Sequence, residues 1–482
     1  MGGSSSHHDK NTHDVGEKSD DNHDSTSEGI SGRKPKRDLT KGSIRKNLWH
    51  LGWPQMAESF LSVVDQLADL LWAGKIGFQA MAGMGVSQAY LTTVIQARIG
   101  FDSSMRAMIS RAVGARNIPY ANHVLMQSLT LTTLLAIFVI VLGLLFTEFL
   151  LGLTGLSEAV VEQASGYMRL QIVALMILSF QRLTGGALQA SGDSLTPLRA
   201  AFATRMFHLL LSPLLMFGWI GFPELGLSGA GLARVVAEVI GTAMNFHALS
   251  GSRTELSITL RDYRLDWPLM KNIINVGIPA SITSMQAGLS QLVVVGIAVQ
   301  FGEAAVAVFA FIRRADNIVN HSSRGFGRAA GALAAHNLSI NLVGRAKSTF
   351  LWALVYVTGI TTPIIFGFLL FPEFLLSVFN EDTAFIEIGV GWLTLAAFGY
   401  LAMSPVQVFT QGFNTSGATL VPMLITVLTT WAIEIPLSYG LAMMTPLGHL
   451  GIPCAIVIAM FIRLILFTWY YFTGKWQRTG LI

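Results

Sequence analysis

After Leu48 the apolar stretches recur roughly every 35 residues, each long enough to cross a hydrocarbon layer of about 30 Å as a helix of about 20 residues. Helical spans are predicted at roughly 48–73, 79–110, 120–147, 159–189, 195–220 and 228–250. A second set follows at roughly 270–300, 304–335, 345–371, 384–412, 418–443 and 449–473. Short alternating strands of the kind that close a membrane barrel are absent from the pattern.

Composition agrees with lipid as the solvent. Hydrophobic residues make up 52% of the 482 and charged residues only 12%, against about 25% charged in a typical soluble domain. Residues 1–44 differ sharply, being rich in Ser, Gly, Asp, His and Lys. Such a segment cannot bury enough apolar surface to fold, so a disordered tail is expected, without a cleavable signal peptide. Gly2 fits the loose myristoylation pattern, which small-residue tails match by chance. The tail histidines His7, His8, His13 and His23 read as solvated rather than as a metal site. A lone Cys454 excludes an intrachain disulfide and any cysteine-based metal or redox centre.

Basic residues resist translocation and mark the cytoplasmic side. The tail's Arg33, Lys34 and Lys36 fall on the same side as Arg111 and Arg116, Arg253 to Lys271, Arg345 and Lys347, and Lys475 and Arg478, if the spans alternate. The opposite loops hold Lys75 and the acids Glu148, Glu158, Glu224, Glu303, Glu373, Glu381 and Asp382. Both termini are therefore expected in the cytoplasm, in a plasma or inner membrane.

One constant shift relates the two sets of spans. Leu51-Gly52-Trp53-Pro54 returns as Val276-Gly277-Ile278-Pro279, an offset of 279 − 54 = 225. The same shift carries Gly77 to Gly302, Gly100-Phe101 to Gly325-Phe326, Gly192 to Gly417 and Pro197 to Pro422. An even number of spans per half makes the repeats parallel, related by an axis along the membrane normal. The expected fold is an all-α membrane protein, with twelve transmembrane helices in two parallel six-helix lobes around a central cavity. The lobes are residues 45–252 and 270–475, joined by a cytoplasmic linker at 253–269 and followed by a cytoplasmic C-terminus at 476–482. In Ala190-Ser191-Gly192-Asp193-Ser194-Leu195-Thr196-Pro197 a left-handed glycine should end one helix, Ser or Asp should cap the next, and Pro should enter its first turn.

Taken together, this repeat, the Asp69-to-Gly77 segment after a span opened by Pro54, the Ser110-to-Ala115 run and the Ala190-to-Pro197 turn resemble the multidrug and toxic compound extrusion (MATE) family over residues 45–475. The resemblance implies an efflux antiporter that exchanges a cytoplasmic organic solute for H+ or Na+, acting as a monomer in the lipid bilayer. No cofactor, metal, nucleic-acid partner or enzymatic activity is implied.

An ionised carboxylate inside hydrocarbon costs roughly 2.5 to 3.5 kcal/mol even on lenient insertion scales, so acids within spans need a reason. The first span has Glu58, Asp65 and Asp69, and spacings of 7 and 4 set them on one helical face with Ser62 and Trp72. Like charges in one low-dielectric stripe repel, and a proton relieves that repulsion. The residues leave two readings open: proton loading, or buried ion pairs with Arg98, Arg205 or Arg234. By the resemblance, Asp69 occupies the position of the family's first-span aspartate, to which coupling-ion binding is attributed. The fifth span departs from the family pattern, having His208 and Ser212 before Pro213 where relatives often carry Asn and Asp. One carboxylate is lost and an imidazole of unperturbed pKa near ~6.5 is gained. Arg234 and Glu238, four apart, are expected to pair with each other.

The second lobe lacks the acids that C-lobe-coupled branches use; the corresponding stretches hold Ser284, Gln286 and Gln291, then Gln407, Thr410 and Gln411. The pattern resembles the DinF-like branch, coupled through the N-lobe, with H+ favoured over Na+. The expected ion-coupling set is Asp69, Asp65, Glu58 and His208. In the eighth span Arg313, Asn317, Asn320, Arg324 and Arg328 form a polar stripe that lipid cannot face. With Gln286, Gln291 and Gln407, the residues Arg313, Asn317 and Asn320 are expected to line the solute cavity. Arginine forks suit carboxylates and phosphates, so an anionic or zwitterionic solute is one reading and an internally paired stripe the other. A lipid-linked substrate flippase is the alternative transporter. His208, His247, His321 and His449 sit in distant spans without metal-ligand spacing, which argues against an enzyme, and the acids are not matched between halves as a channel's rings would be.

Overall fold

The computed structural model describes residues 39–153, 158–251, 254–258, 263–379 and 382–478. Residues 1–38 of the tail, the linker's Arg253 and Arg261, Glu381 and residues 479–482 lie outside the described residues. The first lobe comprises α1 (Ile44–Ile76), α2 (Phe78–Gly114), α3 (Ile118–Gly152), α4 (Glu158–Ala190), α5 (Leu195–Phe217) and α6 (Gly226–Ser250). The second comprises α7 (Trp267–Ala298), α8 (Glu303–Leu338), α9 (Val343–Leu370), the short α10 (Pro372–Ser377), α11 (Thr383–Ser416), α12 (Leu420–Leu428), α13 (Ile435–Met444) and α14 (Gly451–Thr473). A π-helical turn, Thr429–Glu434, fuses α12 and α13 into a single span. Its wide turn precedes Pro436, which has no N–H to give the preceding turn. Hydropathy gives no sign of it.

Twelve spans result, and nine of these helices are apolar enough to be recognised as membrane-crossing by hydropathy alone. The three that are not, α1, α2 and α8, each carry buried charges, Asp65 and Asp69, then Asp102, Arg106 and Arg111, then Asp316, though buried charges also enter apolar spans at Arg205, Glu238, Glu434 and Arg463. Their polar groups face other helices, so α1, α2 and α8 form the centre of the bundle while α3, with exposed Leu134, Phe138 and Leu145, presents an apolar flank.

The repeat is visible in the packing. α1 lies against α8 and α2 against α7, so each lobe contributes its first two helices to the other. A Cβ on Gly100 would run into the Gly277 carbonyl oxygen; one on its repeat mate Gly325 would lie 2.7 Å from the Met56 nitrogen. Only glycine permits helices to approach this closely. The two repeat-related turns match as well. Gly192 has φ 98° and Gly417 φ 95°, both left-handed. The Asp193 carboxylate accepts from the Thr196 backbone N–H at 3.0 Å, so it is Asp193 rather than Ser194 that caps α5.

Inter-lobe contacts concentrate at the end of the bundle that holds Ile44 and Thr473, here termed basal. The core there joins Met108, Ile109 and Leu125 to Met270 and Ile273 across the lobe boundary. His336 Nε2 lies 2.7 Å from the Ala190 carbonyl oxygen, and Arg111 donates to the Ser416 carbonyl at 3.3 Å. The bundle is thus sealed at its basal end. The linker is strapped to α3, with the Ser257 N–H donating to Asn122 Oδ1 at 2.9 Å, Gln127 donating to the Arg264 carbonyl at 2.6 Å and His123 Nε2 3.0 Å from Asp266.

Candidate functional site

Three helices of the first lobe bring a buried charge cluster together. α1 supplies Asp65 and Asp69, one turn apart on its inward face; α5 supplies Arg205 and His208; α6 supplies Arg234 and Glu238. Arg205 Nη1 donates to Asp65 Oδ2 at 2.9 Å and to Glu238 Oε1 at 3.2 Å. Arg234 Nη1 donates to Asp65 Oδ2 at 3.1 Å and to Asp69 Oδ2 at 3.3 Å. The His208 ring bridges the two aspartates, Nδ1 at 2.7 Å from Asp65 and Nε2 at 3.6 Å from Asp69. Asp65, Asp69, His208 and Glu238 are each at most 2% exposed.

Both readings of the aspartates therefore meet in one place. Arg205 and Arg234 do pair with them, whereas Arg98 pairs with Asp102 at 2.7 Å instead. The expected pair of Arg234 with Glu238 exists only as a 3.8 Å contact, because the guanidinium's closer partners are the aspartates. Glu58 does not join the cluster: it accepts a hydrogen bond from Gln189 at 2.9 Å. Seven residues along a helix restore the face but add about 10 Å of rise, which places Glu58 two turns nearer the basal end.

The two aspartates are not equivalent. Asp65 takes three close partners and saturates both oxygens. Asp69 has only the longer contacts, and the buried His208 Nε2 beside it has no hydrogen-bond partner among the described residues. Charge counting sharpens this. Three carboxylates face two guanidiniums, 3 − 2 = 1, so the buried cluster holds one carboxylate more than guanidiniums, with the His208 imidazole between the two aspartates. Uncompensated buried charge is strongly unfavourable, so the site has room for one cation, a proton or a monovalent ion. Ligand atoms of Asp65, Asp69 and His208 all lie within 4.8 Å of one another, close enough to share such a charge.

Residues expected around the solute cavity are placed differently. Arg313 donates to Asp316 at 2.9 Å and to Gln291 Oε1 at 3.4 Å, so its charge is met within the second lobe. Asn320 and Gln286 are buried with side-chain oxygens that lack a partner, Asn317 is exposed, and Gln407 is half-buried on α11 beside α8. A well-formed cavity lies in the first lobe, not among these residues: about 120 Å³ enclosed by α2, α3 and α4, with Phe101, Leu135 and Met176 in its wall and Arg98 and Arg182 at its polar end. Glu434 and Arg463 pair at 3.2 Å.

The MatE family profile matches the chain twice, over residues 54–214 and 279–440, and the two matches start 279 − 54 = 225 residues apart. The chain belongs to the MatE family. Its fold is that of solved MATE transporters: a MATE protein in the bent conformation superimposes with a TM-score of 0.83 at 22% identity, covering 93% of this chain and 100% of that one. An outward-facing multidrug resistance MATE transporter of the MOP superfamily gives 0.83 at 21% identity, over 92% and 98%. Among curated relatives, the probable multidrug resistance protein YoeA of Bacillus subtilis is 27% identical, over 90% of this chain and 95% of that protein. The probable multidrug resistance protein NorM of Thermotoga maritima is 24% identical over 93% and 96%, and an FAD transporter of Shewanella oneidensis 22% identical over 87% and 96%. As a MATE protein the chain is a multi-pass membrane efflux transporter, not an enzyme, and the flippase alternative is not favoured.

Within the cluster, Glu238 and the two arginines are the members that spacing alone assigns only as partners. Charges placed within apolar spans on α5 and α6 are the available signal; which acid each arginine meets is not readable from spacing.

Proposed function

We propose that this MATE protein is an antiporter that exports small organic solutes, drugs among them, by alternating access, driven by H+ through the first-lobe cluster in the manner of the DinF-like branch. The observation that carries the reading is the surplus of one carboxylate over guanidinium in a buried site. Asp65 anchors both arginines, Asp69 takes and gives the proton, and His208 relays it between them. Protonated, the cluster is neutral; deprotonated, it must draw its helices toward positive charge or water. That difference is what an antiporter needs, since an ion drives a conformational change only by binding the two states unequally. H+ is favoured over Na+ because Asp65's oxygens are already taken by Arg205, Arg234 and His208, leaving too few to clothe a dehydrated Na+.

In this reading both termini and the basal seal face the cytoplasm of a plasma or inner membrane, so the sealed state is the one from which solute leaves. We extend it to an anionic or zwitterionic solute, supported by the excess of arginine over acid between the lobes. The test is solute efflux in proteoliposomes under an imposed pH gradient, then under an imposed Na+ gradient. Driven transport by the pH gradient alone is expected, abolished by Asp69→Asn. Undiminished pH-driven transport in that variant would remove the assignment, and drive by Na+ alone would replace H+ as the coupling ion.

A further inference from the structure

A second cluster, near the basal seal, has the opposite charge and draws on both lobes. Arg106 on α2 and Arg182 on α4 come from the first, Arg324 and Arg328 on α8 from the second. Arg106 lies within electrostatic reach of Arg182 and Arg328, and His321 within reach of Arg182, Arg324 and Arg328. Arg106 donates to Gln189 Oε1, and Arg328 Nη2 donates to Ser59 Oγ at 3.4 Å. Among the described residues none of these four has a carboxylate within ion-pair distance. The buried Nε groups of Arg324 and Arg328 and Nη1 of Arg98 have no partner among them either.

With Arg98 included, five guanidiniums face the two nearby acids Glu58 and Asp102, 5 − 2 = 3, a surplus of three positive charges. Arg106 is 9% exposed, and Arg98, Arg182, Arg324 and Arg328 are half-buried. We propose that these arginines bind a multiply charged oxyanion on the transported solute, with a phosphate ester as its chemical class. A phosphate monoester carries about −1.5 to −2 near pH 7 and three acceptor oxygens, whereas a monocarboxylate would leave most of the surplus unmet. Guanidinium forks match paired phosphate oxygens. The neighbouring cavity of about 120 Å³, apolar but for Arg98, Asp102, Arg182 and a few hydroxyls, receives a small apolar group attached to that oxyanion. Because Arg182 and Arg328 belong to opposite lobes, the bound oxyanion supplies the counter-charge that lets two positive faces close at the basal seal. An organic cation is repelled by the same surface.

The cargo's direction of travel rests on the antiporter reading; its binding does not. The test uses the purified full chain, with phenyl phosphate as probe, inorganic pyrophosphate as competitor and phenyltrimethylammonium as the cationic control. Phenyl phosphate is expected to bind saturably and to be displaced by pyrophosphate. Arg182→Gln and Arg328→Gln should each weaken binding about ten- to hundredfold, the scale of a lost charge-assisted hydrogen bond, while substitution of the exposed Arg314 by Gln leaves it unchanged. Arg182→Lys and Arg328→Lys keep the charge and should restore part of the affinity, which separates charge loss from misfolding. Unchanged affinity in both Gln variants, or binding of phenyltrimethylammonium in place of phenyl phosphate, overturns the proposal. If phenyl phosphate binds as expected but no pH gradient moves it, the antiporter reading fails while this one stands.

Discussion

Each lobe buries an ionic cluster, and the two differ in charge balance, with the sign exchanged at one matched position. Under the 225 shift Glu238 of α6 stands where the second lobe has Arg463 of α14, 463 − 225 = 238. In the first lobe that acid accepts from Arg205 on α5 at 3.2 Å. In the second, Arg463 donates to Glu434 of the π turn at 3.2 Å and to the Thr429 and Thr430 hydroxyls at 2.7 Å each. Asp316 pairs with Arg313 at 2.9 Å, so counted by direct ion pairs the second lobe has two acids and two arginines. It is balanced without a proton. The first-lobe group, three acids against two arginines, is not. A balanced buried network holds helices together in one arrangement; one that is a single charge short responds to the medium, and this separates a structural ion pair from a coupling site.

The comparison can be broken most directly at the two acids. Asp69→Asn removes the carboxylate proposed to exchange the proton, and pH-driven efflux in proteoliposomes should fall at least about a hundredfold. Glu434→Gln should leave the driven component intact, and loss of coupling there would erase the distinction between the lobes.

Stability gives the next largest effect. Glu434→Ala strands a buried guanidinium and should cost about 3–5 kcal/mol in thermal unfolding of the detergent-solubilised protein. Replacing Glu434 and Arg463 together by Met should recover most of that loss, since an apolar pair of similar volume no longer needs compensation. A double variant as unstable as the single one would show that the pair does more than balance itself.

The inter-lobe glycines test the scaffold. Gly100→Val and Gly325→Val insert side chains where helices of opposite lobes touch, and overpacking of about 1–3 kcal/mol should open the basal seal. Labelling of a cysteine introduced at Ser281, in a background where Cys454 is Ala, reports the opening. Gly100→Val should have the larger effect, because its Cβ meets a carbonyl oxygen head-on. The smallest effect is expected at the paired turns: Gly192→Ala and Gly417→Ala each force an L residue into left-handed backbone, at about 1–2 kcal/mol in thermal unfolding. Equal losses in the two halves would confirm that their symmetry lies in the backbone and ends at the charges.

Much of the fold is legible in the order of residues alone. All twelve spans are legible in the recurrence of apolar stretches, α1, α2 and α8 included despite their charge, although those three fall short of a strict hydropathy criterion among the described residues. The Gly192 turn is readable because it depends on short-range rules of capping and left-handed backbone. Helical spacing groups Glu58 with the aspartates because it specifies a face but not a depth. The Arg313 stripe leaves solute contact and internal pairing both open in the sequence, and the 2.9 Å contact with Asp316, three residues on, decides Arg313 for pairing. The π turn leaves no hydropathic trace, since it changes the pitch of an already apolar span.

By itself the sequence determined how many times the chain crosses the bilayer, that its halves repeat, and which few charges enter the membrane, because lipid penalises every polar residue individually and so records each in composition. Only the tertiary structure decided which charges meet. Asp65, Asp69, Arg205, His208, Arg234 and Glu238 are separated by up to 238 − 65 = 173 residues in the chain, and the balance of three carboxylates against two guanidiniums depends on helix packing, which no local pattern encodes.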